Sequence, residues 1–282
     1  MCSLASIPGR ILRIPLEKSV KVLAFDPNFI VALDKPCGIL SQPSGKSDST
    51  GELCLLKGAS YNKKEYYQYS YLDSEGKKSL DKFWLLNRLD SATSGVILGC
   101  CDEVVAEGVK RLFKERAIHK IYYARVFGSM KQHKSYWENA MDITKSKSIL
   151  AVGPSSSKYN RNSAKIARAN VQFVEFDKRT NTSLIELSPL TGYSHQLRFQ
   201  CAENGFPIVG DKVYGHFDSN KLFQEVMKSA NVNSGVKLQK RNYKRLMLHS
   251  RSIEFEYNSG DQLFKFSAVS PVPDKFKLTP SI

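Results

Sequence analysis

Asp90 stands in the stretch NRLDSATSG, residues 87–95, two positions after Arg88 and just ahead of Thr93, Ser94 and Gly95. A carboxylate held among such neighbours can act as a nucleophile or as a general base. The same residues can instead build a turn, with Asp90 as its cap, Thr93 and Ser94 tying local backbone groups, and Gly95 relieving strain before the strand VILGC. Two other stretches bear on the choice. ALDKPCGILSQPSG spans 32–45 and contains Lys35; PLTGYSHQLRFQCAENGFPIVGDKVYG spans 189–215 and contains His195, Gln196, Leu197 and Arg198.

Several other chemistries are excluded by detail. SQPSGKS ends like a phosphate-binding loop, but Leu40 occupies the place of the first glycine and Pro43 removes a backbone N–H from a loop that works by presenting them. No G-x-S-x-G elbow exists, and the spacing of Ser94, His195 and Asp90 gives no support to a hydrolase triad. The six cysteines form no C-x-x-C pair and the five histidines show no ligand spacing beside them, so no metal site is expected. The cysteines read as reduced thiols of an intracellular protein.

In order along the chain, these stretches resemble the RluA-type pseudouridine synthase family. The family's H-R-L-D-x-x-T-S-G, K-x-Y-x-A-x-V-x-G, and G-R-T-H-Q-I-R followed by G-x-P-I-x-G-D-x-x-Y-G appear here as NRLDSATSG, KIYYARVFG and GYSHQLR…GFPIVGDKVYG. DKPCG matches N-K-P-x-G near the start and RLMLHS matches R-x-x-L-H-A near the end, so the likeness runs from about Ala24 to Phe276.

The resemblance implies an α+β pseudouridine synthase fold: a mixed, largely antiparallel central sheet with flanking helices, whose cleft holds Asp90, Tyr122 and Arg198. It implies a reaction without a cofactor, in which a uridine's N1–C1′ bond is cleaved, the base is rotated and C1′ is rejoined to C5. On the family's pattern Asp90 acts at the sugar and Arg198 pairs with it, a cation that would keep it ionised. Tyr122 stacks on the target base and takes the C5 proton; the competing reading is a core aromatic on a strand. Arg88 fills the gap left by the flipped uridine, which costs a few kcal/mol to extrude. Lys35, Asn87, Thr93, Ser94, His195, Gln196 and Leu197 are the neighbouring candidates for holding RNA or substrate.

Departures from the pattern fall around these residues. Asn87 replaces His, Tyr193 and Ser194 replace Arg and Thr, Leu197 replaces Ile, and Asp34 replaces Asn. They bear on which RNA fits more than on turnover. Only about 20 residues precede the first matched strand, so the small RNA-binding module of many family members is not expected. The domain reading is an N-terminal arm over 1–20 and a catalytic domain over 21–282, with a loop insertion over 46–83.

The elements that must position these residues are legible as short apolar runs. Strands are expected at 29–33, 84–86, 95–100, 120–128, 170–176 and 183–188. VVAEGVKRLFKERAIHK places Val105, Val109, Leu112 and Phe113 at helical spacing, and a second helix is expected from near Ser194 to before Gly205. Five tyrosines between Tyr61 and Tyr71 are interleaved with Lys63 and Lys64, which suits either stacking on unpaired bases or an amphipathic hairpin at a sheet edge.

Charge points to the partner. Lys and Arg total 42 against 27 Asp and Glu, a net +15, as expected of a polyanion binder. Lys145–Arg168 holds six basic residues and no acid, and Lys237–Arg245 holds five and no acid, which suits a phosphate track. No apolar run approaches the roughly 18 residues of a membrane span. The expected partner is ribosomal or transfer RNA, with no membrane and no nucleotide cofactor, and the protein is expected to be a monomer. The expected location is the cytoplasm, the basic N-terminus only faintly resembling an organellar presequence. Competing readings are a non-catalytic RNA-binding ribosome-assembly factor that keeps the fold, and a DNA-binding architectural protein, which would explain the charge but not the motifs.

Overall fold

The computed structural model describes residues 8–43, 53–62, 65–130, 134–142, 164–233 and 245–276. The basic segments expected to track phosphate, and the glycine-lysine loop at 45–47, lie mostly or wholly outside the described residues. The chain divides into two compact units, Met1–Lys120 with Ser250–Pro271, and Ile121–His249 with Val272–Ile282. The α+β class is as expected.

The first unit opens with a single helical turn, α1 (Gly9–Leu12), that buries Ile11 and is tethered by Arg10, whose Nε and Nη2 donate to the Asp81 carboxylate at 3.0 and 2.8 Å. Strands β1 (Lys21–Phe25) and β2 (Ile30–Lys35) form an antiparallel hairpin. β3 (Ser60–Asn62), β4 (Tyr66–Leu72) and β5 (Lys78–Leu85) form a meander joined through β5 to β6 (Ser94–Cys100). β2 pairs with β6 from Ile30 opposite Cys100 to Lys35 opposite Gly95. All seven β6 residues are buried, which explains why this strand reads as an unbroken apolar run rather than an alternating one.

The tyrosine-rich segment is a hairpin at the end of this sheet. Tyr67 and Tyr69 are only 0% and 2% exposed, Tyr61 packs edge-on to Tyr67, and the Tyr67 hydroxyl donates to Ser41 O at 2.7 Å. Of the two readings of these tyrosines, the amphipathic hairpin is the one that Tyr67 and Tyr69 follow.

Helix α2 (Glu103–Glu115) follows β6 directly. The Asp102 carboxylate caps it by accepting from Val105 N at 3.0 Å, and Arg116 in the left-handed conformation ends it. Ala106 and Val109 are fully buried against Ile30, Val96, Leu98 and Phe255, with Val105, Leu112 and Phe113 at the margin. The expected periodicity is therefore the buried face. Strand β11 (Leu248–Ser259), which lies in this unit from Ser250 onward, pairs antiparallel with β12 (Gln262–Val269) and adds Phe255, Tyr257 and Phe266 to the same core.

In the second unit β7 (His119–Phe127), β10 (Thr182–Pro189), β9 (Ala164–Asp177) and β8 (Lys134–Asp142) form an antiparallel sheet in that order. Helix α3 (Gln196–Glu203) packs on one face, where Phe199 meets Met141 and Ala167; α4 (Phe217–Asn233) follows. On the other face Arg125 is fully buried. Its Nε donates to Phe276 O at 2.9 Å, and its Nη2 bonds both that carbonyl and the Glu175 carboxylate. Burial pushes the guanidinium's pKa down, and the Glu175 carboxylate works against that shift. Arg125→Met keeps most of the volume but strands the Phe276 carbonyl and one carboxylate partner. We expect it to destabilise this unit by about 3 kcal/mol in urea unfolding, and a loss under 1 kcal/mol would show that Arg125 does not pin the C-terminal segment.

Candidate active site

The Asp90 loop is built by two segments of the first unit that are far apart in sequence. On one side of Asp90, the backbone of Leu89 is gripped by Ser41, whose Oγ donates to Leu89 O at 2.7 Å and accepts from Leu89 N at 3.0 Å. On the other side, Ser91 O accepts from Gly38 N at 2.7 Å and from the Lys35 ammonium at 3.2 Å. Lys35 is 0% exposed, and the same ammonium donates to Ile39 O at 2.7 Å and Pro36 O at 3.2 Å. A buried cation is retained only when it is well partnered. Lys35 thus binds the DKPCG segment to the turn after Asp90, a physical reason for the two motifs to travel together.

The remaining motif residues of this unit divide by exposure. Thr93 and Ser94 are 2% and 4% exposed. Thr93 N donates to Asp90 O at 3.0 Å, closing the turn. Asn87 Oδ1 accepts from Leu98 N at 2.8 Å, so this departure from the family pattern ties the start of the motif to β6. Asp90 is half-buried and Arg88 is exposed. Of the residues expected to hold RNA or substrate here, Lys35, Thr93 and Ser94 are placed inside the framework of the loop, and Arg88 is the one turned to solvent.

In the second unit Tyr122 is half-buried on β7, and the register that sets it beside Leu187 and Val171 places it on the sheet face that α3 covers. Arg198 is 7% exposed on α3, where its Nε and Nη2 donate to the two carboxylate oxygens of Asp211 at 2.8 and 2.9 Å. Its guanidinium carbon lies 5.3 Å from the centroid of the Tyr214 ring. Gln196 Oε1 accepts from Thr191 Oγ1 and Tyr193 N, while its Nε2 donates to Arg168 O and Gln200 Oε1. Leu197 is buried beside it. Gln196 and Leu197, expected at the RNA, are here parts of the seat on which Arg198 is carried.

His195 immediately precedes α3 with φ 57, a left-handed conformation uncommon outside glycine. Its Nδ1 lies 3.3 Å from the Tyr214 hydroxyl. Such strain is sustained because the neighbouring contacts over-determine the turn, and it holds the imidazole at the mouth of the helix that bears Arg198.

Asp211 and Tyr214 were within a motif read from the sequence, yet nothing in their spacing assigned them to Arg198. Asp211 is 1% exposed. Burial by itself would raise its carboxyl's pKa, but Arg198's hydrogen bonds and charge, with N–H groups of Tyr214 and Val213, outweigh this and hold it below the usual range. A depressed carboxyl stabilises the fold above its unfolded pKa of about 3.9 and loses that contribution as pH falls through the folded value. Asp211→Asn should therefore be less stable than the wild type by a constant margin from pH 8 to 5. The margin should shrink below about pH 4; a margin that grows on acidification, read from urea midpoints, would contradict the pairing.

Gly210 next to Asp211 has φ 77, and a Cβ there would stand 1.9 Å from Arg245 O. Val209 is threaded between Arg125 and Met247 by backbone bonds of 2.9 Å to each. The GFPIVGD stretch is thus a backbone rail that delivers Asp211 to Arg198.

Comparison with known proteins gives a consistent relationship. Residues 29–203 match the family model described as RNA pseudouridylate synthase. The dual-specificity RNA pseudouridine synthase RluA of Vibrio parahaemolyticus is 29% identical over 72% of this chain and 72% of its own. The enzyme of the same name from Escherichia coli K12 is 30% identical over 71% of this chain and 80% of its own. In structure, the human RNA pseudouridylate synthase domain containing 4 superposes with a TM-score of 0.60 at 21% identity, covering 91% of this chain and 90% of that one.

Proposed function

Since the chain belongs to the RNA pseudouridylate synthase family, we propose that it isomerises particular uridines of ribosomal or transfer RNA, with Asp90 as the catalytic carboxylate. The observation that carries this reading is the Asp90 turn itself. Its backbone is clamped on both sides by Ser41, Gly38 and Lys35, leaving a half-buried carboxylate on a rigid loop beside an exposed arginine. A reacting group gains most when its support is already ordered before substrate arrives.

The reaction is an isomerisation, and atoms balance within the substrate. The N1–C1′ bond breaks as positive character develops on the ribose, the base turns, C5 bonds to C1′, and the C5 proton leaves to solvent while N1 gains one. Asp90 acts at the sugar, either adding to C1′ or taking a proton from the ribose. Tyr122 stacks on the base and receives the C5 proton. Arg198, oriented by Asp211, supplies fixed positive charge to the reacting centre. Arg88 occupies the space in the RNA that the flipped uridine vacates. We place the protein in the cytoplasm as a monomer acting on RNA, the partner that a net charge of +15 suits.

The test is tritium release from RNA labelled at uridine C5, run on separate ribosomal and transfer RNA fractions. Release shows the reaction and which RNA class carries the site. No release from either fraction, despite RNA binding, would favour the assembly-factor reading.

A further inference from the structure

The sheet of the second unit has two faces, and only one is committed to Tyr122 and α3. Register pairs Tyr122, Leu187, Val171 and Ser135 in one row, while Ala167 and Ala169, on the same face as Val171, are fully buried. On the opposite face the register builds three rows: Lys134, Gln172, Glu186 and Tyr123; then Tyr136, Asn170 and Ser188; then Glu138 and Arg168. Strands lie about 4.8 Å apart and alternate residues about 7 Å apart along each strand, so neighbouring groups on this face lie within reach of one nucleotide. Phe276 O meets this face at Arg125, and over the rows named above the described residues leave a cavity of about 460 Å³ lined by Lys134, Tyr136, Asn170, Gln172, Glu186 and Ser188 among others.

The chemistry of the cavity is that of nucleotide recognition. Tyr136 is 53% exposed, an unusual position for a ring that strand geometry could have buried. Its hydroxyl donates to Glu138 at 3.3 Å, and Glu138 is paired with Arg168 at 2.8 Å, so the ring is held at its tip and that row's charges cancel. The remaining ammonium, Lys134, suits a phosphate; the amides of Asn170 and Gln172 suit a base edge. Glu186 accepts only, which favours a base with an exocyclic amino group over uracil. In sequence, residues 143–163 between β8 and β9 carry Lys145, Lys147, Lys158 and Arg161 and no acid.

We infer that this face binds an unpaired, amino-bearing nucleotide of the RNA substrate, separately from the uridine that reacts. The inference rests on the RNA-modifying reading and extends it to target recognition.

The experiment uses the full chain and fluorescein-labelled single-stranded ten-nucleotide RNAs of adenosine, cytidine or uridine. Wild type should bind the adenosine and cytidine oligomers more tightly than the uridine one. Tyr136→Ala should weaken that binding about tenfold, the scale of one lost base stack, with Tyr136→Phe staying within about twofold because the ring remains. Glu186→Gln should abolish the preference over uridine. Equal affinities for wild type, Tyr136→Ala and Glu186→Gln would overturn the proposal, and if Tyr136→Ala fails to fold, Glu186→Gln and Asn170→Ala decide it. Pseudouridine formation followed in parallel separates the two readings. Tyr136-dependent binding without product means that the activity reading fails while this one stands, and product formed with unchanged KM and oligomer affinity in Tyr136→Ala means the reverse.

Discussion

Asp90→Asn should fold with an unchanged Tm, bind RNA as the wild type does, and form pseudouridine slower by on the order of 10⁴-fold. The substitution leaves the backbone anchors of this loop in place: Leu89 is held by Ser41, and Ser91 by Gly38 and Lys35. The turn bond from Thr93 N goes to the Asp90 carbonyl, which Asn also has. What is lost is the carboxylate, and an amide can neither add to C1′ nor act as a base toward the ribose. Tritium release with wild type and variant side by side reads this directly. Residual turnover near the wild-type rate would remove Asp90 from the mechanism, and loss of folding in the variant would mean that the carboxylate serves the turn.

Gly95→Ala should prevent stable folding of the first unit, with a loss of more than about 4 kcal/mol. Gly95 has φ 108, and a Cβ there would lie 2.1 Å from Ser250 O and under 3 Å from Ser250 C and N. That obstruction is main chain of β11, which is a sheet neighbour of β6 and pairs with β12 from Ser252 onward, so it has little freedom to step aside. Gly108 is the control. It sits in α2 with nothing within 4 Å of an added Cβ, so Gly108→Ala should stabilise by about 0.5–1 kcal/mol. Urea unfolding of both variants checks the contrast, and a Gly95→Ala protein within 1 kcal/mol of wild type would show that the close approach is not obligatory.

The sequence by itself determined the class of the protein and the identity of its chemical motifs. α2 was legible because one face alone is buried, so Val105, Val109, Leu112 and Phe113 had to recur at helical spacing. β6 was legible as a continuous apolar run because it is buried on both sides. α3 could be read only from its ends, since Gln196 to Cys201 are all buried and leave no polar stripe to mark a phase. The short strand β3 and the charged strand β8, with exposed Tyr136, carry too little apolar patterning to stand out.

Which motif residues are buried in the framework of their loops and which are exposed was decided only by tertiary structure. Lys35 and Gln196 look like polar ligand-binding residues in a linear chain, because sequence records a side chain's chemistry but not where its partners will be. Burial then makes their polar atoms bind backbone and amide groups of distant segments. Arg198 and Asp211 are 13 residues apart, and no local periodicity links them. The backbone rail at Val209 and Gly210 sets that pair, because main-chain hydrogen bonds to Arg125 and Met247 fix where the next residue must emerge.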